Sequence, residues 1–208
     1  MGGSSPSPSG QVSDKREEWE KEYARGETPW DSGVPSSELR RALRAGQLPG
    51  AAALELGCGT GTNAMELARN GYRVTAVDFA ESAVNQAREK ARSSSLEVDF
   101  VVGDVTAIDL GGPYDVVFDR GLYHTVRTIN LPAFLKMLER VTHRGTRWLS
   151  LMGNANEPMN EGPPVVREDE FCAELEPLFK ILEVREFRFT TDRPPLRPLA
   201  WSVLMERR

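Results

Sequence analysis

Three glycines at alternate positions follow a short apolar run in the segment ALELGCGTGTN, residues 53–63. Glycine has no side chain and takes positive φ without strain, so the backbone at Gly57, Gly59 and Gly61 can pass close to a ligand. Leu54 and Leu56 predict a short buried strand, and the residues after the glycines have helical spacing. The predicted order is therefore strand, glycine turn and helix, with the helix amides and dipole facing the ligand.

The next three predicted strands are residues 71–79, 97–104 and 114–119, and each has an acidic residue at its last or next-to-last position. Asp78 lies near the end of the second strand, where a carboxylate can accept hydrogen bonds from a ribose diol. Asp104 ends the third strand, and Asp119 ends the fourth. Four ordered strand ends, one rich in glycine and three acidic, predict a site for a nucleoside-containing ligand.

The G-x-G-x-G spacing after Glu55 resembles motif I of class I S-adenosylmethionine (SAM) methyltransferases. A dinucleotide fingerprint would need glycine at position 62, where the chain has Thr62, so a dehydrogenase is disfavoured. The resemblance implies SAM as cofactor and S-adenosylhomocysteine as product. It also implies that Asp104 faces the adenine amino group and that Val105 donates its backbone amide nearby.

The segments on the acceptor side resemble a narrower group within these methyltransferases. The pattern W-x3-Y-x6-W-D-x-G-x-P over residues 19–35 resembles the N-terminal lid of the thiopurine, thiol and halide methyltransferase group. Residues 118–121, Phe-Asp-Arg-Gly, are similar to the fourth-strand motif of its thiopurine branch, and Gly-Pro-Pro at 162–164 is a third match. Together the matches cover roughly residues 15 to 190. Tyr123-His124 is more similar to bacterial small-molecule methyltransferases.

The candidate site follows from these motifs. The predicted catalytic residues are Tyr123 and His124, with His124 the only proton acceptor in reach; the alternative for His124 is a structural histidine. No metal-binding residues are predicted. Arg120 either pairs with Asp119 or Asp115 or meets an anionic acceptor. The predicted cofactor-binding residues are Trp19, Tyr23, Trp30, Glu55, Gly57, Cys58, Gly59, Thr60, Gly61, Asn63, Asp78, Phe79, Asp104, Val105, Asp119 and Arg120.

Methyl transfer from a sulfonium is an in-line displacement, so the site has to hold the nucleophile close to the methyl group. A thiol with a pKa of about 8.5 supplies some thiolate unaided, whereas a hydroxyl needs a dedicated base. The Asn/Asp-Pro-Pro-Tyr motif of amino-methylating enzymes is absent after the fourth strand. We therefore expect a small-molecule acceptor, with thiol, sulfur or selenium nucleophiles first. The alternatives are an N- or O-methyltransferase of a small heterocycle and a non-catalytic SAM-binding protein.

Composition limits the partners. The 208 residues carry a net charge of −5, without the basic footprint that nucleic-acid binding needs. No apolar segment approaches the roughly 20 residues of a membrane span. The start lacks the pattern of a secretion signal, and Cys58 and Cys172 do not make a disulfide framework. We expect a cytoplasmic monomer or weak dimer that binds neither nucleic acid nor membrane.

The chain is predicted to have one domain, residues 14–208, behind a disordered tail, residues 1–13. Residues 14–45 would form the lid helices. The expected fold is α/β and Rossmann-like, with seven strands in a mostly parallel sheet, helices on both faces and a C-terminal antiparallel hairpin. Strand and helix should alternate through Val141. The polar segment 154–164 is interpreted as lining the acceptor pocket.

Overall fold

The structure, a computed structural model, describes residues 8–26, 28–157, 164–190 and 197–208. The helices are α1 Pro8–Arg25, α2 Ser37–Arg44, α3 Thr62–Arg69, α4 Glu81–Ser93, α5 Tyr123–Val141 and α6 Glu168–Leu175. The strands are β1 Ala52–Leu56, β2 Arg73–Asp78, β3 Asp99–Val102, β4 Tyr114–Arg120, β5 Thr142–Asn154, β6 Val165–Val166, β7 Phe179–Arg188 and β8 Leu199–Arg207.

Seven strands form one sheet in the order β3-β2-β1-β4-β5-β8-β7, and the short β6 pairs with β5. The pairs from β3 to β5 are parallel, whereas β8 runs antiparallel to both β5 and β7. The predicted Rossmann-like fold with its C-terminal hairpin is therefore confirmed. The chain leaves β1 toward β2 and later returns to β4 on the other side of β1. Such a reversal opens a crevice at the carboxyl ends of the strands, where α/β proteins bind ligands.

Helices cover both faces of the sheet. On one face, Phe134 of α5 packs against Trp148 of β5, and Phe171 of α6 packs against Trp201 of β8. On the other face, α2, α3 and α4 pack against the sheet through a second apolar cluster that includes Leu39 and Leu67. The two clusters hold the strand ends rigidly, so groups at the carboxyl edge have fixed positions.

Two expectations about local structure are corrected. Helix α1 begins at Pro8 and so includes residues 8–13, which were expected to be disordered. A helix can begin there because proline at the first turn loses no intrahelical hydrogen bond; residues 1–7 lie outside the described residues. The expected alternation of strand and helix also fails between β3 and β4, where residues 103–113 contain no helix. That connection ends in Gly111-Gly112-Pro113, and glycine and proline disfavour a helix.

Within the described ranges, no helix has the length and apolar character that crossing a membrane would require.

Candidate active site

The glycine turn joins β1 to α3 at the crevice. Its backbone N–H groups at Gly57 and Cys58 both donate to Val77 O of β2, at 2.8 and 3.0 Å. All three glycines take positive φ, +69°, +52° and +77° in chain order. The turn is therefore held against the end of β2 in a conformation that residues with side chains rarely adopt.

Two of the three glycines, Gly59 and Gly61, are required for different reasons. A Cβ atom on Gly59 would lie 2.6 Å from the Tyr23 hydroxyl, so Gly59 lets the lid approach the turn. A Cβ atom on Gly61 would lie 2.9 Å from the Cβ atom of Ala87 and from the Phe100 ring, both in the core. Close approach to a ligand is thus not the only reason for the glycine pattern, because Gly61 is also a packing requirement.

Asp78 ends β2 directly beneath the turn and is buried. Its Oδ2 atom accepts a hydrogen bond from the Gly59 amide at 2.8 Å, and Oδ1 accepts one from the Ala80 amide at 3.0 Å. Burial raises the pKa of this carboxyl, and the backbone amides partly oppose that effect. Each oxygen keeps a second lone pair, so the carboxylate can still accept hydrogen bonds from a diol.

Glu55 is the second acid beneath the turn, and its side chain is 1% exposed. Its Oε2 atom has no hydrogen-bond partner among the described residues. Burial raises the pKa of Glu55 well above its ordinary range, although Asn63 and the Ala64 amide donate to the carboxyl. A buried acceptor without a partner is costly, so the site fits a ligand with a cationic donor, such as the ammonium group of SAM.

An aromatic lid covers the turn. Trp30 Nε1 donates to the Tyr23 hydroxyl at 3.1 Å, and the Trp19 and Trp30 rings meet edge to face with centroids 4.6 Å apart. Phe79, the residue after Asp78, packs against the same cluster. The four aromatic residues predicted for the cofactor site therefore lie together, with Tyr23 buried next to Gly59.

Polar side chains fasten the lid segment to the turn. Thr60 Oγ1 donates to the Asp31 carboxylate, and Lys90 Nζ donates to Thr60 Oγ1 at 2.6 Å. The Ser36 amide donates to Asn63 Oδ1 at 2.9 Å. Sequence reasoning missed Lys90 and gave Asp31 no role in the site. The lid pattern contained Asp31, but no local signal placed Lys90 of α4 beside the turn.

The remaining cofactor-side residues lie near the same edge. Asp104 stands two residues beyond β3, and its Oδ1 atom accepts from the backbone amide and the hydroxyl of Thr106, each at 2.8 Å. Val105 is buried. Cys58 is also buried, and burial raises the pKa of its thiol, which agrees with a packing role rather than a reactive one. No group of side chains in the described part of the chain could hold a metal ion.

Asp119 was predicted to bind the cofactor, and the structure places it in the core instead. Its Oδ2 atom accepts from the Tyr123 amide and its Oδ1 atom from Trp148 Nε1, both at 3.0 Å. Burial raises its pKa to about 6. Successive strand residues point to opposite faces, so Asp119 faces α5 while its neighbour Arg120 faces the lid.

Tyr123 was predicted to flank the methyl group, and the structure places its side chain in the core between α5 and α6. Its side chain is fully buried, its ring meets Trp148 edge to face, and its hydroxyl donates to Glu174 at 2.5 Å. Burial raises the pKa of the hydroxyl further above its ordinary range. Tyr123 begins α5 and anchors it to α6, away from the glycine turn.

Arg120 joins the lid to the end of β7. It donates to Trp30 O and to Thr190 O, each at 2.9 Å, and its guanidinium lies 4.8 Å from the centroid of the Phe189 ring. The structural pairing considered for Arg120 does not form, because Asp119 is engaged in the core and Asp115 accepts from amides of the β1 strand entry. Burial lowers the pKa of Arg120.

His124 is the second residue of α5 and is 4% exposed. The Gly153 amide of β5 donates to its Nδ1 atom at 2.8 Å. Burial, with a smaller contribution from the positive charge of Arg120, lowers the pKa of His124 to about 3. The ring is therefore neutral at physiological pH. The expected acceptor loop is only partly described: Asn154 donates to Glu186 at 2.9 Å, and residues 158–163 lie outside the described residues.

Comparisons with known proteins agree with this geometry. A family model described as a methyltransferase domain matches residues 53–145. A probable thiol methyltransferase 2 of Arabidopsis thaliana is 26% identical over 162 residues, which cover 77% of this chain and 72% of that protein. A structure from work on the conversion of a disulfide bond into a thioacetal group during echinomycin biosynthesis is 28% identical, with a TM-score of 0.74, covering 86% of this chain and 85% of the other.

A third similar protein shows the same fold at greater distance. Burkholderia thailandensis 1,6-didemethyltoxoflavin-N1-methyltransferase, solved with its substrate and S-adenosylhomocysteine, has a TM-score of 0.77 at 20% identity and covers 99% of this chain and 93% of its own. Together the matches support a class I SAM-dependent methyltransferase. The predicted cofactor of this methyltransferase, SAM, is confirmed, and so is its likeness to the thiol methyltransferase group.

Proposed function

We propose that this methyltransferase transfers the methyl group of SAM to a small-molecule thiol or to another soft sulfur or selenium nucleophile. Two similar proteins support sulfur: one is named a thiol methyltransferase, and the other was solved in work on sulfur-bridge conversion. A thiol also suits the chemistry, since its pKa of about 8.5 gives some nucleophilic anion without help from the protein.

One observation carries the assignment of the donor side. Two buried carboxyl groups, Glu55 and Asp78, lie beneath the glycine turn, and Oε2 of Glu55 has no partner in the part of the chain that the structure describes. We assign Glu55 to the ammonium group of SAM and Asp78 to the ribose hydroxyls. Asp104 and Val105 are assigned to the adenine.

The lid residues and the turn complete the proposed cofactor site. Tyr23 and Trp30 cover the Gly59 backbone, and the Asp31–Thr60–Lys90 contacts hold the lid segment in place. Bound SAM supplies an electrophilic methyl group on a sulfonium. The lid excludes water from that group, which strengthens the electrostatic contacts inside the site. The single domain over residues 14–208, the cytoplasmic location, the monomeric or weakly dimeric state and the lack of a nucleic-acid partner stay predictions.

The donor-side assignment is tested with Asp78→Asn, which keeps the shape of the side chain and removes its charge. A hydrogen bond to a charged group contributes about 1.5–3 kcal/mol, so we expect SAM to bind about 10- to 100-fold more weakly in calorimetry. Asp99→Asn is the matched control, because Asp99 is an exposed acid at the start of β3. Equal SAM affinity in both variants would remove Asp78 from the cofactor site.

The acceptor is tested with SAM and a panel of thiols, selenols, halides and heteroaromatic amines, with release of S-adenosylhomocysteine as the readout. We expect turnover to be fastest with thiols or selenols. Turnover confined to amines or hydroxyl compounds would replace the sulfur assignment by the N- or O-methyltransferase alternative. Binding of SAM without turnover of any acceptor would support a non-catalytic SAM-binding protein.

A further inference from the structure

The hydrogen bond between Gly153 and His124 fixes where the ring carries its proton. The Gly153 amide can only donate, so Nδ1 of His124 has to accept and cannot hold a hydrogen. A neutral imidazole has one ring proton, and in His124 it therefore lies on Nε2. The predicted role of His124 as proton acceptor conflicts with this arrangement, because Nε2 already carries a proton and Nδ1 is occupied.

The surroundings of His124 prevent a change of tautomer or charge. Protonation of Nδ1 would set two donors, the ring and the Gly153 amide, against each other. The titratable group that acts on the ring is Arg120 of β4, whose positive charge disfavours an imidazolium, and the contact from β5 is the Gly153 backbone. The ring is also buried, so water cannot stabilise a second proton.

The Nε2 edge of the ring lies beside the crevice. A Cβ atom on Gly121, the first residue after β4, would lie 3.5 Å from His124 Nε2, so glycine at this position leaves the N–H group uncovered on that side. The same junction touches the glycine turn, because a Cβ atom on Gly57 would lie 3.1 Å from Leu122 Cβ. The Nε2–H group therefore lies beside Gly121 at the end of β4, where the next residue, Leu122, is close to the glycine turn.

The other candidate bases of this junction are also occupied. Asp119 accepts hydrogen bonds in the core, and the Tyr123 hydroxyl donates to Glu174. We propose that His124 is a fixed Nε2–H donor to the acceptor atom and that the enzyme selects acceptors that reach the site already ionised. This inference rests on the proposed function, since it concerns the acceptor of the same methyl transfer.

The proposed step needs no proton transfer to the protein. The acceptor loses its proton to solvent before binding, and its lone pair forms the new bond to the methyl carbon. The electrons of the old carbon–sulfonium bond stay on the departing sulfur, which becomes neutral. The Nε2–H group orients the acceptor anion during the transfer.

The first test compares pH profiles of kcat/KM for a series of aliphatic thiols with electron-withdrawing substituents, whose pKa values span about two units around the ordinary thiol value of about 8.5. We expect the rising part of each profile to follow the pKa of that thiol. A rising part at one constant pH for every thiol would reveal a general base in the enzyme and overturn the proposal. If the panel identifies a different ionisable acceptor class, the same series is built from that class.

The second test uses His124→Ala and His124→Gln, in which glutamine restores an N–H donor near the position of Nε2. Loss of a hydrogen bond to a charged group predicts that His124→Ala lowers kcat/KM about 10- to 100-fold without moving the profile, and that His124→Gln recovers most of the loss. A profile that loses its rising part in His124→Ala would show that His124 is a base after all. Thermal unfolding of each variant checks its fold, and the wild-type series decides the question if neither variant folds.

The two proposals fail in different ways. Absence of turnover with every thiol in the wild-type enzyme would contradict the proposed function alone. Rapid thiol turnover with one acceptor-independent pKa would leave that function intact and contradict the role given to His124.

Discussion

The two sides of the crevice are built differently. On the cofactor side, backbone groups dominate: the glycine turn donates to Val77, Gly59 and Ala80 donate to Asp78, and the lid lies against a position without a side chain. On the acceptor side, at the junction of β4 and α5, side chains dominate, and most of them are engaged in the core.

The difference shows where each half of the reaction obtains its specificity. A backbone cradle recognises the parts of SAM that do not change from one methyltransferase to another. Among the described residues, a junction whose acids and hydroxyl are occupied leaves a neutral imidazole and a half-buried guanidinium to meet the acceptor. Such a junction suits a reactive acceptor that needs orientation more than activation.

The largest expected effect comes from breaking the cofactor side at Gly61. Gly61→Val forces a side chain into a backbone at φ +77° and into contact with Ala87 and Phe100. A left-handed conformation costs about 1–2 kcal/mol, and overpacking adds about 1–3 kcal/mol. We expect the free energy of unfolding in urea to fall by the sum of both costs.

Gly71→Val is the matched control for Gly61→Val. Gly71 also has positive φ, +90°, but a Cβ atom there would meet no described residue within 4 Å. The free energy of unfolding of Gly71→Val should therefore fall only by the cost of the left-handed backbone conformation. Equal losses in the two variants would mean that the core tolerates the extra atoms, and the glycine at position 61 would then be explained by ligand approach alone.

Much of the cofactor side could be predicted because its signals are local. An apolar run, alternate glycines and an acid at a strand end are all read within a few residues, and the predicted second strand, 71–79, contains the observed Arg73–Asp78. The hairpin strands were predicted at Lys180–Phe189 and Leu199–Glu206, within one residue of the observed Phe179–Arg188 and Leu199–Arg207. Period-two alternation marks such strands clearly.

The acceptor side could not be predicted in the same way. Alternation says that Asp119 and Arg120 point to opposite faces, but it does not say which face carries the lid. The partners that decide this, Trp30 and Trp148, lie 90 and 29 residues away in the chain from Arg120 and Asp119. The contact between Lys90 and Thr60 could not be predicted locally either, because the packing of α4 brings together residues that are 30 positions apart.

The second prediction concerns Asp119, the buried acid at the junction of β4 and α5. The pKa of Asp119 in the folded protein is about 6, above the ordinary value of about 3.9. Its contribution to stability is therefore present below about pH 4 and is lost as the pH rises through 6. The shift corresponds to about 1–3 kcal/mol, so urea unfolding of the wild type should show a loss of that order between pH 4 and pH 7 that Asp119→Asn lacks.

Asp99→Asn is the control for this pH dependence, because Asp99 is exposed on the edge strand β3. It should keep the wild-type loss of stability between pH 4 and pH 7. The core assignment of Asp119 would be contradicted by an Asp119→Asn variant whose stability changes with pH as much as that of the wild type. Asp119 would then be free to act at the site, and the contrast between the two sides would weaken.

The smallest expected effect tests where the lid belongs. Trp30→Phe keeps an aromatic ring and removes the Nε1–H group that donates to Tyr23. A neutral hydrogen bond contributes about 0.5–1.5 kcal/mol, so we expect the KM for SAM to rise about two- to tenfold, with kcat unchanged. Trp201→Phe removes a similar bond, to Val166 O at 2.9 Å in the core, and should leave the KM for SAM unchanged.

A different outcome of Trp30→Phe would change which residues are assigned to the cofactor side and which to the acceptor side. Arg120 donates hydrogen bonds to both Trp30 O and Thr190 O, so its guanidinium connects the lid to the acceptor side. A rise in the KM for the acceptor with a constant KM for SAM would mean that Trp30 serves the acceptor through Arg120. The aromatic lid would then belong to the side-chain half of the crevice, and only the glycine turn and its two acids would remain as the cofactor half.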